Sequence, residues 1–317
     1  MQWLFLTPSA CYESPVDDKG ANQVVKSMTQ EQESSGIAGT GAPDAGREAR
    51  ARILCLGDVV GRPGRHALRE RLPGLRRELD VDLVIANGEN AAGGIGLTPP
   101  TFRELREAGV DVVTSGNHIW KHREIYSLLD ESPVLLRPDN YGTKAPGRGV
   151  CVFVLPCGFK VGVVNLLGRV FLEPVPCPFE TADSALDSLA SMGADCVILD
   201  FHAEASSEKR AMSHYVDGRI AAVVGTHTHV QTADALVTPL GTACLTDLGM
   251  CGVEEDSVIG MAKEPVIRRF VSGLPEPFRP AKGKALLNGA LVEVEKKDGK
   301  ALSIRLLRDK PIEFVMR

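Results

Sequence analysis

The sequence predicts a layered α/β protein, and three observations carry that reading. Short apolar runs alternate with amphipathic stretches from residue 52 onward, the rhythm of βαβ units. Several of those runs stop abruptly in a small residue followed by a polar one, where a buried strand hands over to a loop. The 317 residues, 44% hydrophobic and 24% charged, suffice for one substantial core, so a single large domain is expected over residues 51–317.

Taken in order, the first segment stands apart. Asp17-Asp18-Lys19-Gly20 and residues 30–46 carry no sustained apolar period, so residues 1–50 are expected to form a disordered extension. Trp3-Leu4-Phe5-Leu6 is too short for the apolar region of a signal peptide, and no run approaches the roughly 18 apolar residues of a membrane span. Cys11 after Ser9-Ala10 has a superficial likeness to a lipoprotein cleavage site but lacks the longer apolar stretch, and Met28 offers an alternative start. Amphipathic helices are predicted at 65–79, 101–108 and 123–129. A hairpin follows at 150–155 and 160–165 around Pro156-Cys157-Gly158-Phe159, and a proline-rich loop at 174–178 leads into a helix near 182–191. Strand-like runs at 233–237, 242–246, 285–295 and 301–307 close the chain, with Asp298-Gly299 as the turn between the last two.

The net charge of −5 and 5% aromatic content exclude a dedicated nucleic-acid surface, which needs a basic stripe and stacking platforms. A small anionic substrate remains compatible, because a bound metal outweighs the global balance locally. The eight cysteines are scattered without a Cys-x-x-Cys pair, which reads as buried free thiols in a reducing, cytoplasmic compartment.

Five strand endings carry the chemistry. Ile53-Leu54-Cys55-Leu56-Gly57-Asp58 ends in a carboxylate, and Val84-Ile85-Ala86-Asn87-Gly88-Glu89-Asn90 in a carboxylate and an amide. Val113-Thr114-Ser115-Gly116-Asn117-His118 ends in amide and imidazole, and Val197-Ile198-Leu199-Asp200-Phe201-His202 in imidazole. Val223-Val224-Gly225-Thr226-His227-Thr228-His229 supplies two histidines which, in extended backbone, point the same way. Parallel strands present their carboxyl ends along one edge, so these endings are expected to converge. Asp58, Glu89, Asn90, Asn117, His202, His227 and His229 then offer seven oxygen and nitrogen donors, more than one ion needs. Two ions about 3.5–4 Å apart, bridged by a carboxylate for which Glu89 is the candidate, would use them. A set without thiolate points to iron, manganese or zinc.

The order and spacing resemble the calcineurin-like metallophosphoesterase superfamily, through Gly116-Asn117-His118 and the paired histidines at 225–229. Two departures, Asp58-Val59-Val60 without a histidine and Gly88-Glu89-Asn90 in place of a two-aspartate segment, are similar to the YmdB-like branch. Residues 57–65, Leu136-Arg137-Pro138-Asp139-Asn140-Tyr141 and Lys263-Glu264-Pro265-Val266-Ile267 also look like that branch, so the resemblance covers roughly 51–317. It implies a sandwich of two mixed β-sheets flanked by helices, α/β/β/α, in one domain. It implies two divalent or mixed-valence ions, iron with manganese as the alternative. Asp58, Glu89, Asn90 and His229 would hold one ion, and Glu89, Asn117, His202 and His227 the other. His118 would be the general acid, a role that imidazole suits near neutral pH. The implied reaction is in-line displacement by a hydroxide held between the ions, opening 2′,3′-cyclic nucleotides to 3′-phosphates, and homo-oligomers are expected.

Other readings stay open at this point. The same ligands serve nucleotidases, exonucleases and phosphoprotein phosphatases, and a metal-binding regulator with incidental hydrolysis would also keep them. Residues 203–210 start a helix whose charges face solvent or substrate, with solvent favoured. Arg62 and Arg65 could clamp a phosphate or sit on an exposed turn. If Asn90 is a neutral ligand, Asn90→Ala should lower metal content and activity while leaving the circular dichroism spectrum unchanged; unaltered stoichiometry and turnover would remove it from the ligand set.

Overall fold

The computed structural model describes residues 46–310 and the two-residue strand at 312–313. The predicted disordered extension lies outside the described residues as far as residue 45, together with the leader, lipoprotein and Met28 readings. Residues 46–50 differ from expectation. They form a 3-10 turn, Arg47–Ala49, and the first residue of the first strand, because the Arg47 guanidinium bonds Asp82 Oδ1 (2.9 Å) and also pairs with Asp80.

Along the chain the elements are β1 (Arg50–Leu56), β2 (Asp58–Val59), α1 (Gly61–Glu78), β3 (Leu83–Asn87), α2 (Pro99–Glu107), β4 (Val112–Thr114) and α3 (Ile125–Glu131). Then come β5 (Val150–Val154), β6 (Lys160–Leu167), α4 (Pro178–Ser191), β7 (Cys196–His202), α5 (Ser206–Tyr215), β8 (Ala222–Thr226), β9 (Leu236–Val237) and β10 (Ala243–Leu245). The chain closes with β11 (Met250–Val253), β12 (Ser257–Val258), β13 (Met261–Ala262), α6 (Lys263–Ser272), β14 (Lys284–Leu286), β15 (Asn288–Glu295), β16 (Ala301–Arg308) and β17 (Ile312–Glu313).

Two mixed sheets dominate, ordered β16-β15-β1-β3-β4 and β5-β6-β7-β8-β10-β9. Within them β1, β3 and β4 run parallel, as do β6, β7, β8 and β10. The central strands are apolar on both faces, and the two-residue side-chain period sends alternate residues to different cores. Ile53, Cys55, Leu83 and Ile85 meet Val161, Val163, Ile198 and Val224 between the sheets. Leu54, Leu56, Val84 and Ala86 instead pack under Leu68, Leu72 and Leu105 of α1 and α2, while Val164, Leu199 and Phe201 pack under Ala182, Leu189 and Met212 of α4 and α5. The result is the four-layer α/β/β/α sandwich.

The predicted hairpins form, with Val150 opposite Val164 and Leu291 opposite Arg305. Three readings shift. Helix α1 starts at Gly61, four residues before the predicted start, because Pro63 fits a first helical turn, where an N–H has no intrahelical partner. The strand predicted over 285–295 is two strands, since the chain leaves one sheet after Leu286 and joins another at Asn288. Of the run at 233–237 only Leu236 and Val237 pair. A small sheet, β17-β14-β11-β2, and a ribbon, β12-β13, complete the fold; their two- to four-residue strands are too short for a periodic signal.

All seven described cysteines are free thiols: Cys55, Cys151, Cys196, Cys244 and Cys251 are buried, Cys177 is half-buried, and Cys157 is exposed, against the expectation of burial. Among the described residues no helix is long and apolar enough to cross a membrane. Ile198→Ala, in the layer between the sheets, should cost about 2–5 kcal/mol in denaturant unfolding, whereas exposed Leu302→Ala should stay within about 0.5 kcal/mol. Equal midpoints for the two variants would contradict the layer assignment.

Candidate metal centre

The five strand endings converge at the carboxyl edge of the sheets, each by its own local device. Asp58 does not sit on β1 itself. Gly57 turns the chain into β2, which pairs Asp58 with Met250, and a Cβ at Gly57 would lie 1.8 Å from the Gly249 carbonyl oxygen. Glu89 and Asn90 follow β3, while Asn117 and His118 open a 3-10 turn, Asn117–Lys121, after β4. Gly116 before that turn is obligatory, since a Cβ there would come within 2.3 Å of Glu89 Oε2 and of His202 Nε2. His202 is the last residue of β7.

His227 and His229 reach the cluster, but not by strand alternation. Strand β8 ends at Thr226, and the two histidines have φ of 99° and 66°. Two carboxylates fasten this turn. The His227 N–H donates to Asp58 Oδ2 (3.1 Å), and Asp247 Oδ2 accepts from the Thr228 N–H (3.2 Å) and hydroxyl (2.8 Å). Asp247 is itself held by the buried ammonium of Lys209 at 2.6 Å.

Glu89 is central and fully buried. Its Oε1 lies 3.0 Å from His118 Nδ1, 3.2 Å from Asn90 Nδ2 and 3.3 Å from His202 Nε2, and its Oε2 accepts from the His118 N–H at 3.1 Å. Glu89, His202 and His227 each place a donor atom within 4.8 Å of the others. Asn90 turns Oδ1 to His118 Nδ1 (3.0 Å) and its amide nitrogen to His229 Nε2 (3.0 Å). An amide nitrogen is no metal ligand, so Asn90 joins the donor set only with its amide turned over.

Three imidazoles are each tied by one ring nitrogen and aim the other inward. Thr226 gives its hydroxyl proton to Asp200 Oδ1 (2.7 Å) and therefore accepts from His202 Nδ1 (2.9 Å), leaving Nε2 toward Glu89. His229 Nδ1 donates to the Ile259 carbonyl (2.9 Å), and its Nε2 lies 3.9 Å from Asp58 Oδ1. His227 Nε2 meets the Glu204 carboxylate at 3.0 Å, and its Nδ1 faces His202 Nε2 at 3.0 Å. Such outer tethers fix tautomer and ring orientation at metal sites.

The protein alone does not satisfy this arrangement. Asp58 Oδ1 and Asn117 Oδ1 are buried without a hydrogen-bond partner. Burial above all holds the Asp58 carboxyl well above the usual carboxylate range, with Glu89 adding repulsion and His202 opposing it. Burial also acts to raise Glu89, but His202 and His118 outweigh it and hold that carboxyl well below its ordinary value. Burial works to lower His202, yet Glu89 and then Asp58 outweigh it and lift the ring to about 9. His227, desolvated and facing that cation, is pushed down to about 3. Two inward nitrogens facing at 3.0 Å beside partnerless oxygens need a proton or a cation between them. The donor set fits metal ions, with oxygen and imidazole donors and no thiolate.

Sequence reasoning missed Glu204, Thr226, Asp200 and the Lys209–Asp247 pair. The solvent reading of residues 203–210 holds in part: Glu204 is exposed yet reaches His227, whereas Glu208 and Lys209 are buried. The signal for Glu204 is a charge-rich helix start directly after a candidate ligand. The Arg65 guanidinium meets Glu104 (2.6 Å) and the Ala91 carbonyl.

Comparison with known proteins gives a consistent picture. A family model described as YmdB-like protein matches residues 54–307. The chain is 45% identical over 253 residues to a 2′,3′-cyclic-nucleotide 2′-phosphodiesterase of Bacillus subtilis, covering 80% of this chain and 95% of that one. A crystal structure of a hypothetical protein from Thermus thermophilus superposes with a TM-score of 0.74 at 44% identity, covering 82% of this chain and 100% of the other. A novel phosphatase from Mycoplasma pneumoniae superposes with a TM-score of 0.77 at 36% identity, covering 83% and 95%.

A raised carboxyl pKa is a folding penalty that is absent below the unfolded pKa, grows as pH rises through the folded value, and persists above it. Asp58→Asn removes that penalty. In chelator at pH 7–8 the variant should therefore melt higher than the parent, with the difference vanishing near pH 3. In excess manganese the order should reverse, because the parent gains more from binding. A variant that keeps its advantage over the parent in excess manganese would refute the metal-ligand reading of Asp58.

Proposed function

The chain belongs to the YmdB-like protein family, and on that premise we propose that it is a dinuclear metal-dependent phosphodiesterase that opens 2′,3′-cyclic nucleotides to 3′-phosphates. The coarse part, phosphoester hydrolysis, is supported by the relatives' activities. The nucleotide part rests on likeness to the Bacillus subtilis enzyme. The observation that carries the metal-dependent part is the pair of partnerless buried oxygens, Asp58 Oδ1 and Asn117 Oδ1, beside three tethered imidazoles.

Asp58, Asn90 and His229 would hold one ion and Asn117, His202 and His227 the other, with Glu89 shared between them. When bound, two such cations supply Lewis acidity toward the phosphoryl oxygens and acidify a water. The residues do the rest. Asp200, through Thr226, keeps the His202 Nε2 lone pair inward, and Glu204 and the Ile259 carbonyl do the same for His227 and His229. His118 is the most exposed of the four imidazoles, with a side chain about one third open. Its Nδ1 is committed to Glu89 and Asn90, so Nε2 is the nitrogen that delivers a proton to the departing 2′-oxygen. Iron or manganese suits the donors.

The test is elemental analysis of the full chain followed by turnover of 2′,3′-cyclic AMP with product identification. Two ions per chain and 3′-AMP are expected. His118→Ala should keep both ions and lose about 10²–10⁴-fold in kcat. Release of 2′-AMP, or an undiminished kcat in the variant, would overturn the assignment of the acid.

A further inference from the structure

Among the described residues two phenylalanines stand mostly in solvent, Phe270 on α6 and Phe171 on a loop tied to the candidate metal centre. Phe171 is 90% exposed, and its backbone adopts φ 61°, a region that bulky residues rarely visit. It lies on the loop between β6 and α4, and that loop is fastened on both flanks. The Gly168 N–H donates to the His202 carbonyl at 3.0 Å. The Arg169 and Val170 N–H groups donate to the buried carboxylate of Glu208 at 2.9 and 3.3 Å. Asn140 Nδ2 donates to the carbonyls of Leu167 (2.7 Å) and Pro176 (3.1 Å), closing the loop at its two ends. On the far flank, Tyr141 donates its hydroxyl to Glu173 (2.9 Å), and its ring meets Trp120 edge-on at 5.1 Å. Trp120 is two residues beyond His118, so the loop spans from the His202 segment to the His118 turn. Chain length alone keeps the Phe171 Cα within about 11 Å of that of Gly168.

We propose that Phe171 is the stacking platform for the nucleobase of the substrate, and so the residue that makes this site prefer nucleotides over base-free phosphodiesters. The inference rests on the phosphoesterase reading above. Every base offers a π-face to an aromatic ring, so the platform selects for a base without selecting which one. Fastening the loop on both flanks positions the Phe171 backbone in advance, which lowers the ordering cost of binding.

The experiment uses the full metal-loaded chain and two cyclic phosphodiesters, 2′,3′-cyclic AMP and the base-free methyl riboside 2′,3′-cyclic phosphate. The parent should show a KM lower by roughly 5- to 150-fold for the nucleotide, the range expected for stacking on one base. Phe171→Ala should abolish that preference through KM with kcat little changed, and Phe171→Trp should restore it. Independently of turnover, the fluorescence of 2-aminopurine riboside 3′-phosphate should be quenched on binding the parent and not on binding Phe171→Ala. A preference unchanged in the alanine variant, or no quenching by the parent, overturns the platform while leaving the phosphodiesterase reading intact. Phe171-dependent quenching without turnover of either diester instead supports the platform and removes the cyclic substrate. An alanine variant that changes the solution mass and not nucleotide affinity assigns the ring to a chain–chain contact and overturns the proposal.

Discussion

Asp58 and Glu89 are fully buried, and the inward nitrogens of His202 and His227 face each other at 3.0 Å, an electrostatic constraint on which the rest of the site depends. Unsolvated donors of this kind repel unless positive charge lies among them. Protons can supply it only partly, which is why His202 is driven up while His227 is driven down. Divalent ions would supply it fully, and metal affinity and fold stability would then be linked.

Holding such donors together requires a scaffold that does not relax. The four layers provide it, because β1, β3, β4, β7 and β8 are pinned on two faces by separate cores and end at one edge. The Lys209–Asp247 pair is a second rigid part. It is buried and couples α5 to the turn carrying His227 and His229, and breaking one partner of such a pair leaves an uncompensated charge.

Much of this was legible in the sequence because the relevant signals are local. A buried strand ending in Gly-Asn-His or Gly-Thr-His-Thr-His announces both the element and its chemistry. The seven proposed donors were nominated that way, and six of them make or approach contacts within one cluster, with Asn117 placed beside it by Gly116. The rest was illegible for a physical reason. Thr226 and Asp200 act through partners on other strands, and nothing in their own neighbourhoods marks them. The small sheet of β2, β11, β14 and β17 is likewise made by pairings across long sequence separations, from pieces too short to carry a period. The two histidines were correctly grouped on the wrong geometry, since positive φ depends on Asp58 and Asp247 rather than on residues nearby.

That positive φ narrows the ways in which this protein can diversify. His227 and His229 occupy backbone conformations in which histidine, asparagine and aspartate are the enriched non-glycine types, while β-branched and bulky residues are outliers. Histidine, asparagine and aspartate are also nitrogen or oxygen donors. Backbone and coordination chemistry thus filter for the same short alphabet, so descendants of this turn can drift from imidazole toward oxygen donors, and hence toward harder cations, without first rebuilding the loop.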